Sequence, residues 1–338
     1  MTPNHRNLSI DFFRGIAIIL ITGYHVLPFI NNPSKSIYIW DFYAPFLKGD
    51  IGVALFVFIS GYVTQAFSSH LSWVNFIKKR FWRIAAPYYT ALFIWNVLMS
   101  TNILTGGSHD LWDNLSHVFF VHNLHPRTIH SISGVFWYLG LQIQLYIVYL
   151  FLKEFILKYP LMIGICSFSL CLICNITPYI LIPQSDWLPV ITHSVLSYTF
   201  LFLLGVFSHI YLEKITPLLQ KWYTFYGLIL LSGWWLFLKG YLLGDMEIEK
   251  MILGLILGLI MLGMPVINIQ NKLLRPFITI GTASYSIYLY NYIFWVFSPR
   301  FFAIKGLLIY SFVTIACGLA AYYFIEEPFL NKKASAKN

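Results

Sequence analysis

The sequence predicts an all-α integral membrane protein, a bundle of about ten transmembrane helices with both termini in the cytoplasm. Three observations predict it. Hydrophobic residues make up 58% of the 338 positions and charged residues only 10%, where soluble domains carry about 25% charged residues. With a mean hydropathy of +0.70, such a chain cannot cover a water-facing surface. Apolar runs of about 20 residues recur along the whole length, each long enough to cross a bilayer. Finally, the positive residues are sorted by side: with the N-terminus placed inside, fifteen of the 22 lysines and arginines fall on the cytoplasmic side and seven outside, as the positive-inside rule requires. The net charge of +9 therefore reads as topology and not as nucleic-acid binding.

The candidate spans lie at roughly 10–30, 49–67, 84–104, 134–152, 160–182, 194–212, 223–243, 251–269, 278–298 and 303–325. The first run is too long and too rich in polar residues for a signal peptide. It also lacks a small-residue cleavage site, so it stays as the first helix. No polar stretch is long enough for a separate soluble domain, and no internal repeat is clear. Residues 1–330 read as one transmembrane domain and 331–338 as a disordered cytoplasmic tail. The cysteines, Cys166, Cys171, Cys174 and Cys317, all lie in apolar runs. They read as packing residues, with no disulfide framework and no metal site. The loop at about 105–133 is the longest on the outer side. Its five histidines (His109, His117, His122, His125 and His130) fit no familiar ligand spacing and read as interfacial or acceptor-facing.

Polar groups inside the apolar runs are the candidate functional residues, because they are costly there and usually face a polar cavity. Arg14 and His25 bracket the stretch RGIAIILITGYH. Eleven positions at about 100° each place both on one helix face, about 16 Å apart along the axis. Asp11 is one turn before Arg14 and can pair with it. Pro28 removes a backbone donor and is expected to loosen the helix just beyond His25. In the second run, Gly49, Gly52, Ser60 and Gly61 make small notches, suited either to close helix packing or to the passage of a ligand chain. FIKKRFWRIAAPYY follows, with Arg80 and Arg83 on one face. They are either an anchor for anionic lipid heads or a phosphate clamp, since the planar guanidinium fork matches phosphate oxygens. Gln142 and Gln144 suit inter-helix hydrogen bonds. The stretch GTASYSIYLYNYIFW is dense in hydroxyl and aromatic groups that serve equally as a sugar path or as interfacial belt residues. Glu326 near the end is either ion-paired with the arginines or a solvated helix end.

Taken in order, RGIAIILITGYH, GVALFVFISGY, RFWRIAAPYY, FWYLGLQIQLY, SYSIYLYN and IEEPF resemble six segments of the family-3 membrane acyltransferases, which modify bacterial surface sugars, typically by O-acetylation. The resemblance covers most of the chain. It implies a ten-helix bundle in the bacterial cytoplasmic membrane, with acetyl-coenzyme A as a cosubstrate and no bound cofactor or metal. It implies that His25 carries the chemistry with Arg14 and Asp11, and that Arg80, Arg83 and Ser60 bind the donor. Gln142, Tyr146, Tyr285, Asn291 and Glu326 would line or brace the cavity. Two positions depart from the family pattern: Gln142 stands where glutamate is common, and Asn291 where histidine is common. Neither can titrate. His25 would then act without a second titratable partner at those places.

The function expected from this resemblance is O-acetyl transfer from acetyl-coenzyme A to a hydroxyl of a cell-envelope polysaccharide, such as an O-antigen or capsule repeat unit. His25 would act as general base, with a covalent acetyl-histidine as the variant route. The partners implied are the donor, the glycan or lipid-linked glycan acceptor and membrane lipids. Two alternatives share the composition. One is an acyltransferase with a succinyl donor or a peptidoglycan acceptor. The other is a transporter or flippase for a glycan, which would need alternating access but no phosphate clamp.

Overall fold

The computed structural model describes residues 8–26, 49–103, 108–238, 247–264, 272–293 and 304–330. The expectations for Pro28 and for the tail at 331–338 fall outside the described residues. Helices account for the regular structure, and no strand occurs among the described residues.

The helices used below are α1 (Leu8–Val26), α2 (Ile51–Ser68), α3 (Trp73–Ser100), α4 (Leu111–Val118), α5 (Trp137–Lys158), α6 (Pro160–Leu181), α7 (Trp187–Thr192), α8 (Val195–Ile210), α9 (Leu212–Leu219), α10 (Trp222–Leu238), α11 (Glu247–Gly263), α12 (Arg275–Thr282), α13 (Ser284–Leu289) and α14 (Ile304–Ala321). Among the described residues, six stretches are long and apolar enough to cross a membrane: Leu8–His25, Ile51–Ser68, Trp137–Lys158, Pro160–Leu181, Trp187–Ile210 and Ile309–Leu330. All six stand where the sequence predicts spans. Local signals set the ends. Ser72 caps α3 by accepting from the Asn75 amide. Pro160 opens α6, where its missing N–H costs nothing. The stretch expected as one span at 278–298 is broken at Ala283, between α12 and α13.

Burial separates centre from rim. In α2, 72% of the spanning stretch is buried, against 17% in α6. Helix α2 is therefore the central post, and α6 shows most of its surface to the outside. Small residues let the central helices touch backbone to backbone, as membrane packing favours. A Cβ on Gly61 would stand 1.9 Å from the Phe202 carbonyl oxygen of α8, and one on Gly205 would stand 2.0 Å from that of Phe58. On the other side of α2, Gly52 abuts the Ala17 carbonyl of α1. The tightest approach joins α1 and α12. There a Cβ on Gly281 would lie 1.6 Å from the Asp11 carbonyl oxygen, and one on Gly15 would lie 2.1 Å from that of Phe277. The glycine notches of the second run thus serve helix packing, and Ser60 alone of that set turns to the cavity.

The segment between α3 and α5 departs from expectation. Two of its five histidines are not interfacial: His117 and His122 are fully buried, with rings stacked 3.9 Å apart at 11°. The segment folds down along α3. Phe120 packs on Tyr88 and reaches Phe81, while the Tyr88 hydroxyl meets Nδ1 of His117 at 2.7 Å. Helix α4 holds this fold through a reciprocal Asp110–Asp113 capping box. Its polar residues Asp113, Ser116 and His117 face inward, and Leu111, Trp112, Leu115 and Val118 are exposed. Composition could not reveal this inversion, because it depends on partners supplied by α3 and by residues 128–136.

Candidate functional site

Helices α1, α2, α3, α5 and α13 enclose a cavity of about 120 Å³. Seven of the residues singled out in the sequence line it: Arg14, Ser60, Arg80, Arg83, Gln142, Tyr146 and Tyr285. Its three cations have no carboxylate beside them in the lining. Asp11 approaches the Arg14 guanidinium only to 4.0 Å and does not line the cavity.

One wall is a relay of hydroxyl and amide groups. The Tyr138 hydroxyl donates to Gln142 Oε1 (2.8 Å), the Gln142 amide donates to Ser60 Oγ (2.7 Å), and Ser60 donates to the Tyr146 hydroxyl (3.3 Å). Gln142 and Ser60 lie on α5 and α2, so this is the inter-helix bonding expected of an intramembrane glutamine. It ties α5 to α2, the central post. The Arg80 guanidinium lies over the Tyr146 ring, 5.4 Å from its centroid, and Nη2 donates to the Val63 carbonyl at 3.0 Å. Arg80 is 6% exposed. It is therefore a built part of the cavity and not a headgroup anchor free in the interface. One turn along α3, Pro87 lacks the N–H that would bond the Arg83 carbonyl. The next carbonyl, of Ile84, accepts the Tyr285 hydroxyl at 2.7 Å.

Glu326 is neither solvated nor at a free helix end. Residues Tyr322–Glu326 form a π turn at the end of α14. The wider turn brings Glu326 inside, where it is 3% exposed and accepts the Ser286 hydroxyl at 2.6 Å. Arg83 and Arg14 are its electrostatic partners. It braces the arginines from behind and does not line the cavity. No sequence pattern announced the π turn, although such turns collect at functional sites.

His25 and Asn291 make a second cluster, apart from the cavity lining. His25 Nδ1 and Asn291 Oδ1 are 2.9 Å apart. The Asn291 amide nitrogen turns to Thr22 Oγ1 at 3.1 Å, so its oxygen faces the imidazole. An amide oxygen only accepts. Nδ1 therefore carries the hydrogen, and Nε2 keeps its lone pair. Tyr292 packs on the imidazole at 4.7 Å. Asn291 thus braces His25 and is not a cavity residue. Between Arg14 and His25 on α1, Ile18 and Ile21 are fully buried, so the shared helix face is interrupted by packing. Sequence reasoning also passed over Thr22 and Tyr138, whereas Tyr288, in the hydroxyl-rich stretch it marked, does line the cavity. Helical spacing offered a signal for both, since they stand one turn before His25 and Gln142.

A family model described as an acyltransferase domain matches residues 7–326. The chain belongs to the family-3 acyltransferases. It is an acyltransferase and a multi-pass membrane protein. No curated protein and no solved structure matches it. The matched residues contain both clusters, the arginine-lined cavity and the His25–Asn291 pair. Among the described residues, no three histidine, cysteine or acidic side chains gather as a metal site. The four cysteines are free, and the Cys171 thiol packs 3.6 Å from the Met251 sulfur.

Proposed function

We propose that this acyltransferase is a ten-span bundle in the bacterial cytoplasmic membrane, with both termini in the cytoplasm, and moves an acetyl group from cytoplasmic acetyl-coenzyme A to a hydroxyl of a cell-envelope polysaccharide. The observation that carries the reading is the cavity with Arg14, Arg80 and Arg83 in its wall and no carboxylate among its lining residues. Asp11 and Glu326 offset part of this charge from outside the lining, and the three guanidiniums still outnumber them, an excess of positive charge that the phosphates of coenzyme A suit. The positive-inside count puts Arg80 and Arg83 on the cytoplasmic side, where that donor is found.

His25 stands about three helical turns, or about 16 Å, from Arg14. The extended pantetheine arm of the donor is the part that spans such a gap. At its end, the acceptor hydroxyl gives its proton to Nε2 of His25, and the oxygen attacks the thioester carbonyl carbon. The C–S bond breaks, and the departing thiolate takes the proton from the imidazolium. The products are an O-acetyl ester and free coenzyme A. Asn291 holds the tautomer that leaves Nε2 basic.

Mass spectrometry of surface glycan from cells expressing wild-type or His25→Ala protein tests the reading. The wild-type sample should gain the mass of acetyl groups and the variant should not. Equal acetylation in both sinks the role of His25. A succinyl shift would keep the reaction class and replace the donor.

A further inference from the structure

Six hydroxyl-bearing residues line the cavity: Ser60, Tyr138, Tyr146, Ser284, Tyr285 and Tyr288. Five have partners within the protein. Ser60, Tyr138 and Tyr146 share the relay on α2 and α5. Tyr285 donates to the Ile84 carbonyl, and Tyr288 donates to that of Val135 at 2.6 Å. Ser284 is the exception. It is 0% exposed, and its Oγ makes no hydrogen bond. A buried hydroxyl left without a partner is unfavourable, and the same segment satisfies Ser286, two residues on, through Glu326.

The cavity has a second unused donor. Arg80 Nε is buried without a partner, although Nη2 of the same guanidinium is engaged. Two open donors thus belong to the wall of one cavity that also carries Arg14 and Arg83. Both are complemented by an oxygen that accepts and carries negative charge. A phosphate oxygen has both properties, and its tetrahedral array can meet several donors at once.

We infer that Ser284 is a ligand-contact residue: its hydroxyl donates to a phosphate oxygen of the molecule seated in this cavity, whose wall it shares with Arg80. On the reading given under Proposed function, on which the inference rests, that molecule is the coenzyme A donor.

The test is binding of coenzyme A to purified full-length protein in nanodiscs of zwitterionic lipid, with wild-type and Ser284→Ala protein compared by Kd and by thermal unfolding. A lost hydrogen bond to a charged oxygen predicts affinity weaker by about ten-fold or more. Because the hydroxyl has no protein partner to lose, the ligand-free variant should unfold at the wild-type temperature or above it. Equal Kd values overturn the contact while leaving the donor reading intact. A lower unfolding temperature without ligand, with unchanged affinity, assigns Ser284 a structural role instead. A second arm replaces part of the lipid with phosphatidylglycerol. Stabilisation by that lipid alone, lost in Ser284→Ala, keeps the phosphate contact and overturns coenzyme A as its source. Wild-type protein stabilised by neither probe overturns both readings.

Discussion

Asn291 holds the His25 imidazole from 266 positions away along the chain, its amide oxygen 2.9 Å from Nδ1. The amide is itself oriented by Thr22 on α1 and is fully buried. A residue that cannot titrate thus decides which ring nitrogen is basic. Asn291→Ala removes the acceptor and frees the imidazole to rotate and change tautomer. Transfer should fall by about ten-fold or more, the scale of one buried hydrogen bond. Asn291→Asp keeps an acceptor oxygen and should retain more activity than the alanine variant. Glycan acetylation measured for both variants checks this, and an alanine variant as active as wild type would remove the tautomer role.

Gly281 is the contact on which the position of Arg14 depends. Any Cβ there meets the Asp11 carbonyl oxygen at 1.6 Å, so Gly281→Ala must push α12 away from α1. Overpacking of this kind costs about 1–3 kcal/mol or more. The expected result is a lower unfolding temperature together with weaker donor binding, because Asp11 and Arg14 share that turn of α1. Gly164 on α6 is the matched control. Nothing stands within 4 Å of its Cβ position, so Gly164→Ala should leave both measurements unchanged.

The stacked histidines outside the spanning helices make stability depend on pH. Burial pushes His117 down to about 2, with the neighbouring His122 adding to the effect, and it pushes His122 down to about 4, both from an ordinary value of 6.5. Groups kept neutral in this way contribute their full stability above about pH 6.5. Below it the unfolded chain binds protons that the folded pair refuses. Stability then declines at up to roughly 1.4 kcal/mol per pH unit for each histidine. For His122 the decline ends near pH 4, and for His117 it continues toward pH 2. Unfolding temperatures should therefore drop from pH 7 to pH 5, and His122→Gln should flatten the drop. The same slope with and without His122 would count against this assignment.

Helix α4 presents Trp112 at 57% exposure and Leu111 at 75%, while Asp113 and His117 are sealed inside. An eight-residue helix with its apolar side outward is built for lipid and not for water. In a background with the four cysteines replaced, Trp112→Cys should react slowly with a membrane-impermeant maleimide. Gln184→Cys, in the polar exposed stretch before α7, should react quickly. Equal rates would place α4 in water.

What the sequence determined by itself was whatever depends on local order. Hydropathy over about 20 residues marked the six spanning stretches that the structure shows. Helical periodicity put Arg14 and His25 on one face, and ordered motifs pointed to the acyltransferase family that the domain match shows. Tertiary structure decided which of those polar residues meet. Ser60 finds Gln142 82 positions away, and His25 finds Asn291 at 266. A 3.6-residue period says which residues share a face but not which helix that face will meet. That choice rests on close crossings such as Gly15 with Phe277 and Gly61 with Phe202, where small residues let two backbones touch. The same physics buried Glu326 through a π turn and folded His117 and His122 into the bundle. It also set Arg14 in the wall of the arginine-lined cavity and His25 in a separate pair with Asn291, although one face of α1 carries both.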